Sequence, residues 1–343
     1  MESTIQTIKA QWDAFKEQNP KVRIRDAAKQ LGMSEAELLN TGIDVNVIRL
    51  NDRFPELLKE INTLGKVMAL TRNDYCVHER KGIYKKASFN GHVGLVVTPD
   101  IDLRLFMNYW AFGFAVNESD RYSLQFFDKS GEAVHKIYLI EESDQQAYHN
   151  LVKKYTANDQ QETLTALPAS APVAELPDHE INVNEFQESW KALQDTHDFH
   201  PLLKKHQLTR TQALRLAPEG YAFRLELSTL KTILENAAAS GQEIMVFTGS
   251  PGCIQIHTGP IVKLVETGPW FNVLDPDFNM HLRMDGINAV WLVKKPTIDG
   301  WVHSIEVFDK DGNTIVQFFG KRKPGIPESE GWRTLLTDST AII

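Results

Sequence analysis

Between residues 67 and 139 the chain falls into short runs rich in β-branched and aromatic residues, each closed by turn formers: 67–71, 75–80, 93–98, 103–106, 111–116, 123–128 and 133–139. That pattern predicts strands. Lys129-Ser130-Gly131-Glu132 separates the last two runs and predicts a hairpin turn, with glycine supplying a positive φ. Upstream the apolar spacing is helical. A helix is expected over 5–15, then two shorter pieces, then a helix over 53–64. The same succession returns later, with helices over 183–193 and 228–239 and a second hairpin at Lys310-Asp311-Gly312-Asn313. Helices followed by strands predict an α+β fold with a largely antiparallel sheet in each half.

The recurrence is a tandem structural repeat. Thr98-Pro99-Asp100-Ile101-Asp102-Leu103-Arg104-Leu105-Phe106-Met107 aligns with Asp275-Pro276-Asp277-Phe278-Asn279-Met280-His281-Leu282-Arg283-Met284, 177 residues on. Cys76 and Cys253 keep the same spacing, as do Thr71 and Thr248. Further along, Leu124-Gln125-Phe126-Phe127-Asp128-Lys129-Ser130-Gly131 matches Ile305-Glu306-Val307-Phe308-Asp309-Lys310-Asp311-Gly312 at an offset of 181, so the second copy carries a short insertion. Trp12 and Trp190 mark the copies' first helices. Between the copies, Pro168, Pro172 and Pro177 stand among small residues, a composition that holds neither a helix nor a central strand. The expected organisation is a first repeat over 1–162, a linker over 163–180 and a second repeat over 181–343.

Composition narrows the function. The 343 residues carry a formal charge of −8, which disfavours nucleic acid as the main partner because phosphate neutralisation needs a surplus of Lys and Arg. Two cysteines cannot build a disulfide framework, a four-thiolate zinc site or an iron–sulfur cluster, and both are expected to be buried, inert thiols. No apolar run is long enough for a membrane helix, and Met1-Glu2-Ser3-Thr4-Ile5-Gln6 does not read as a secretion signal. The expectation is a cytoplasmic protein that is not embedded in a membrane.

Few motifs carry chemistry. Residues 24–39 resemble a helix-turn-helix with a Gly32 turn and a Ser34 cap, but Glu35 and Glu37 on the second helix would repel DNA phosphates, so a structural unit is expected. Phosphate-loop, dinucleotide, zinc-protease and nucleophile-elbow motifs are missing from the sequence. The histidines say more. Asp195-Thr196-His197-Asp198-Phe199-His200 places two imidazoles three residues apart, while the matching stretch Asn19-Pro20-Lys21-Val22-Arg23 has none. No further ligands stand at a zinc-site spacing. An imidazole in one copy only is what a single cofactor site in a duplicated protein would look like, and neutral drift would leave the same asymmetry.

Several segments together carry a family resemblance. Asp195-Thr196-His197-Asp198-Phe199-His200-Pro201-Leu202-Leu203-Lys204-Lys205, Leu208-Thr209-Arg210-Thr211-Gln212-Ala213-Leu214-Arg215, Phe318-Phe319-Gly320-Lys321-Arg322-Lys323-Pro324-Gly325 and Gly94-Leu95-Val96-Val97-Thr98-Pro99-Asp100-Ile101-Asp102-Leu103-Arg104 are similar to the HemS/HmuS/ChuS family, cytoplasmic hemin-handling proteins of Gram-negative bacteria. The resemblance spans essentially the whole chain. It implies haem (hemin) as the ligand, held between a helix and the sheet of the second half with help from the first. It assigns the iron to His197 and the opposite face to Arg104. It assigns the propionates and porphyrin rim to Arg210, Lys295 in preference to Lys294, Gln317 and Arg322. Relatives often place a tyrosine just after that glutamine, where this chain has Phe318-Phe319. His281, the repeat-mate of Arg104, is either a second haem contact or an ordinary strand histidine.

The chemistry suits these roles. Neutral imidazole is a common axial ligand whose second nitrogen needs a partner such as Asp195 or a backbone carbonyl. Guanidinium stays protonated, so Arg104 would hold an iron-bound water, hydroxide or peroxide rather than ligate. The implied function is haem binding and trafficking after import. The partners would be hemin, an inner-membrane haem importer and a downstream haem acceptor. The alternative is an oxygen-dependent, haem oxygenase-like enzyme that opens the porphyrin and releases iron.

Overall fold

The structure is a computed structural model. It describes residues 2–162, 164–169, 174–323 and 325–342. Pro324 of the last family motif, and residues 163 and 170–173 of the expected linker, lie outside the described residues. The chain divides into two compact units. Unit 1 comprises Met1–Arg72, Glu79–Ser170 and Gly249–Gln255, and unit 2 comprises Asn73–His78, Ala171–Thr248 and Ile256–Ile343. Each unit therefore includes a short segment of the other repeat.

Unit 1 opens with helices α1 (Glu2–Gln18), α2 (Ile24–Leu31) and α3 (Glu35–Asn40). Gly32 ends α2 in the left-handed conformation, and Ser34 caps α3 in a capping box with Glu37. Strand β1 (Val47–Leu50) and helix α4 (Phe54–Glu60) follow, then β2 (Gly65–Arg72), β3 (Cys76–Gly82), β4 (Ser88–Asn90), β5 (Val93–Val97), β6 (Asp102–Phe106), β7 (Phe112–Glu118), β8 (Arg121–Phe127), β9 (Ala133–Ser143) and α5 (Gln145–Tyr155). Five strands form an antiparallel run in the order β1-β7-β8-β9-β2, and β4-β5-β6 form another. Phe54, Leu57 and Leu58 of α4 and Tyr148, Leu151 and Val152 of α5 cover one sheet face over Val67, Ala69, Leu124 and Ile137. Ala36 and Leu39 of α3 meet Val116 and Phe127 on the opposite face.

Unit 2 repeats this plan. Helices α6 (Val183–Lys191), α7 (Phe199–Lys205) and α8 (Arg210–Arg215) precede β10 (Ala222–Leu225), α9 (Leu227–Ser240), β11 (Ile244–Ser250), β12 (Cys253–Gly259), β13 (Leu264–Thr267), β14 (Trp270–Leu274), β15 (Phe278–Arg283), β16 (Ala289–Thr297), β17 (Gly300–Phe308), β18 (Thr314–Gly320) and α10 (Glu330–Thr340). The main antiparallel run is β10-β16-β17-β18-β11, and β13-β14-β15 form the smaller one. Leu230, Ile233 and Leu234 of α9 and Trp332 and Leu336 of α10 bury one face against Val246, Leu292, Ile305 and Phe318. Each such side chain contributes about 1.5–3 kcal/mol on burial. A Cβ at Gly320 would lie 2.6 Å from Trp332, so only glycine lets the indole close on the sheet. Phe186, Trp190, Phe199 and Leu202 of α6 and α7 pack on the other face against Val293 and Phe308.

Both expected hairpins form. Gly131 and Gly312 have φ of 77° and 79°, and Asp128 and Asp309 each accept two backbone N–H groups across their turns. The ends of the proline-rich segment are tied locally. Leu167 donates its N–H to Lys129 O at 2.8 Å in unit 1, while Glu175 and Asp178 bind Arg215 in unit 2. No helix among the described residues is long and apolar enough to cross a membrane.

Candidate functional site

The imidazole of His197 is positioned by a turn, not by a long helix. Asp195 precedes the 3-10 turn Thr196–Asp198 with extended backbone, and its Oδ1 accepts the His197 backbone N–H at 2.8 Å. The same oxygen lies 2.7 Å from His197 Nδ1. A carboxylate only accepts, so Nδ1 carries a hydrogen and, in the neutral ring, Nε2 is the nitrogen with the free lone pair. The His197 backbone N–H, its imidazole and the nearby Arg322 hold the Asp195 carboxyl below its usual range. The His197 side chain is 82 % exposed, so Nε2 is offered to a ligand. His200 is also exposed, at the start of α7, and burial with Lys204 and Arg210 nearby lowers its pKa.

Phe199, two residues on, turns inward and is fully buried. Two cations stand over its ring. Arg210, the first residue of α8, lies 5.2 Å from the ring centre, and Lys295 of β16 lies 4.6 Å from it. Both bind Glu306 on β17, which is fully buried. Arg210 donates from Nε at 2.6 Å and Nη2 at 2.9 Å, Lys295 Nζ donates at 2.7 Å, and Ser304 Oγ adds a bond at 3.0 Å. Burial alone would raise the pKa of Glu306, but two adjoining cations reverse this and keep it ionised. Burial pulls Lys295 down to about 8. Lys295 thus faces inward onto Glu306, while Lys294 lies over the Trp301 ring at 5.5 Å.

Strand register extends the site across the sheet. Glu306 stands opposite Gln317, Gln317 opposite Phe247, and Ser304 opposite Phe319, so these side chains share one face. Phe247 and Phe319 meet edge to face at 5.0 Å and remain half-buried. Gln317 Nε2 and Arg322 Nε are buried and have no hydrogen-bond partner among the described residues. The Arg322 guanidinium is 3.8 Å from Asp299. Unit 2 therefore brings Arg210, Lys295 and Gln317 together around Glu306 on one sheet face, and sets Arg322 near Asp195, the partner of His197. Two orphaned donors, an aromatic floor and a tautomer-fixed imidazole fit a flat ligand that carries acidic groups and a metal.

Arg104 belongs to unit 1. It lies on β6 opposite Leu95, ion-paired with Asp102. Burial raises the Asp102 pKa, and Arg104 offsets this in part. Val93, Leu95 and Val97 of β5 are all exposed, so Arg104 stands on an open apolar strand face. Its repeat-mate His281 places Nδ1 2.7 Å from Asn272 Oδ1.

Sequence reasoning missed Glu306, Asp299 and the Phe247–Phe319 pair. Glu306 was within reach, because it replaces Gln125 in the best-matched segment of the repeat.

Fold and site define a ligand-binding protein built on a duplicated α+β scaffold. A family model described as "Haemin-degrading HemS.ChuX domain" matches residues 32–155 and 207–338, one match in each repeat, and the chain belongs to this HemS family. It is 39 % identical over 332 residues to the hemin transport protein HemS of Yersinia enterocolitica, covering 95 % of each chain. The crystal structure of apo-PhuS, a heme-binding protein from Pseudomonas aeruginosa, superposes with a TM-score of 0.95 at 47 % identity, covering 98 % of this chain and 99 % of that one. The heme-degrading enzyme ChuS of Escherichia coli O157:H7 gives 0.87 at 35 % identity, covering 97 % and 99 %.

Proposed function

We propose that this protein binds haem on unit 2 and carries it in the cytoplasm from an inner-membrane importer to a downstream acceptor. The observation that carries the reading is the Asp195–His197 pair, which leaves Nε2 of an exposed imidazole free for a ligand in the unit that also holds the two orphaned buried donors. Neutral imidazole with its second nitrogen hydrogen-bonded is a common axial ligand of haem iron. The propionates fall to Arg210, Gln317 and Arg322. Arginine suits them because its planar fork matches a carboxylate. Lys295 acts from beneath by neutralising Glu306. Phe247 and Phe319 supply the apolar floor a porphyrin needs. The HemS and PhuS names, hemin transport and heme binding, support this reading.

A second reading, oxygen-dependent opening of the porphyrin, draws support from the family description and from the ChuS relative. When bound, haem would supply the redox iron on which such chemistry depends. One experiment separates the two. Hemin is titrated in and the Soret band followed; a reductant is then supplied in air. The carrier reading expects a shifted Soret band that survives reductant. Loss of that band with a linear tetrapyrrole product would overturn it in favour of the enzyme, and no Soret shift would overturn both.

A further inference from the structure

The residue that organises the cationic side of the site touches no solvent. Glu306 is fully buried and accepts hydrogen bonds from Arg210, Lys295 and Ser304. Its grip on Arg210 is one-sided. The fork uses Nε and Nη2, and the Nη1 edge makes no hydrogen bond among the described residues. The arginine side chain is one-quarter exposed. Guanidinium has five N–H donors in a rigid plane, so fixing one edge fixes the direction of the other. The Phe199 ring below removes the remaining freedom.

We propose that Glu306 is a positioning residue for the bound ligand's carboxylates: it clamps the inner edge of Arg210 and thereby aims the outer edge at them. This rests on the reading that unit 2 binds haem and that Arg210 meets a propionate. The other repeat supports a specialised role. The same register position there is Gln125, opposite Lys136 as Glu306 is opposite Gln317, and among the described residues it accepts nothing from an arginine; its Nε2 donates to Ser123 Oγ at 3.0 Å. Ser123 and Ser304 are themselves matched, so the serine is common to both copies and the carboxylate is not. At that sheet position the other copy holds no carboxylate: Lys136 on the neighbouring strand meets Glu35 of α3 instead, so the placement of Glu306 under an arginine is particular to unit 2.

Charge alone does not explain Glu306. A carboxylate beside a dianionic ligand opposes binding by simple electrostatics, and its retention makes sense when what it orients is worth more than its repulsion. Lys295 completes the balance by offsetting the carboxylate from below, which leaves the trio with one net positive charge while Arg210 stays locked.

The test is a set of hemin titrations on Glu306→Gln, Arg210→Ala and the combined variant, each repeated with haem dimethyl ester. Glu306→Gln is expected to weaken hemin binding roughly tenfold, the loss of one charge-assisted hydrogen bond. It should have little further effect once Arg210 is alanine, and little effect on the ester, which lacks carboxylates. Glu306→Asp should restore part of the affinity. Should Glu306→Gln fail to fold with Lys295 left unpaired, Lys295→Met/Glu306→Gln removes both buried charges and is used in its place, with the same expectations. Losses that add across the two sites, or an equal loss with the ester, would overturn the positioning role. Unchanged binding by Arg210→Ala would instead overturn the reading on which it rests, so the two failures are distinguishable.

Discussion

The same sheet face is used in opposite ways by the two units. In unit 2 helix α8 brings Arg210 to the sheet's Glu306, with Gln317, Phe247 and Phe319 beyond it. In unit 1 the helix brings the acid and the sheet the base: Glu35 of α3 pairs with Lys136 of β9 and with Arg25. Leu70 and Tyr138 occupy the positions of Phe247 and Phe319 and are buried. Thus unit 1 closes its face with internal ion pairs and with the buried Leu70 and Tyr138, whereas unit 2 leaves aromatic surface half-open and, among the described residues, donors unpartnered. Duplication kept the packing and inverted the polarity of this face.

Four variants would break or sharpen this contrast. The largest energetic effect is expected in the structural copy. Glu35→Gln leaves Lys136 buried without its carboxylate, while Arg25 keeps Glu132 at 3.0 Å, and should destabilise the fold by about 3–5 kcal/mol in urea denaturation while hemin affinity holds. A loss of affinity with stability intact would place unit 1's ion pair in the binding machinery. Next, His197→Ala should weaken hemin binding by more than about tenfold and change the visible spectrum, with His200→Ala as its control close to wild type, because loss even of a metal ligand's supporting partner brings 10–100-fold losses. An unchanged spectrum in His197→Ala would remove the iron ligand from this turn.

The third variant concerns a polar network that only unit 1 holds. His135 is fully buried between Tyr84 Oη at 2.6 Å and Thr71 Oγ1 at 2.8 Å, where the second repeat has Val316 and Ile261 in place of His135 and Tyr84. Burial lowers the His135 pKa to about 3. The unfolded chain binds this proton near pH 6.5, so the unfolded state holds more protons between pH 6.5 and 3, and stability falls as the solution is acidified through that window. The slope from this group is at most about 1.4 kcal/mol per pH unit. Tyr84→Ile/His135→Val, which copies unit 2, should flatten that limb of a urea midpoint against pH; an unaltered limb would assign the acid sensitivity elsewhere. The smallest effect is expected from Gln317→Leu. It removes one orphaned donor and should weaken hemin binding by roughly two- to tenfold without changing the spectrum. A spectral change would move Gln317 from the rim toward the iron.

Much of this was legible in the chain. The repeat, the Gly131 and Gly312 hairpins, the Ser34 cap and the Asp195–His197 pair all depend on neighbours a few residues apart, and local pattern records such neighbours. Helices α5 and α10 escaped notice because each buries few side chains, Tyr148, Leu151, Val152 and Tyr155 in one and Trp332, Leu335 and Leu336 in the other, within an otherwise polar sequence. The inward turn of Lys295 was illegible for a different reason. Its partner Glu306 lies on the neighbouring strand, and Arg210 reaches that same carboxylate from 96 residues away. A lysine's direction follows from where its counter-charge ends up, and sequence alone does not record that. The segments that each unit takes from the other repeat were equally hidden, since they arise from long-range pairing.

Those borrowed segments bear on how the protein is made. Unit 1 includes Gly249–Gln255, so a nascent chain that has finished residue 170 still lacks part of its first unit. At about 5–20 residues per second, the 85 residues from 170 to 255 take roughly 4–17 s to synthesise. During that interval the emerging half is one strand segment short of completion, and Thr71 waits for Cys253, which stands 3.5 Å away in the finished fold. A gene cut after the first repeat would therefore leave out the Gly249–Gln255 segment of unit 1 and with it the Cys253 neighbour of Thr71.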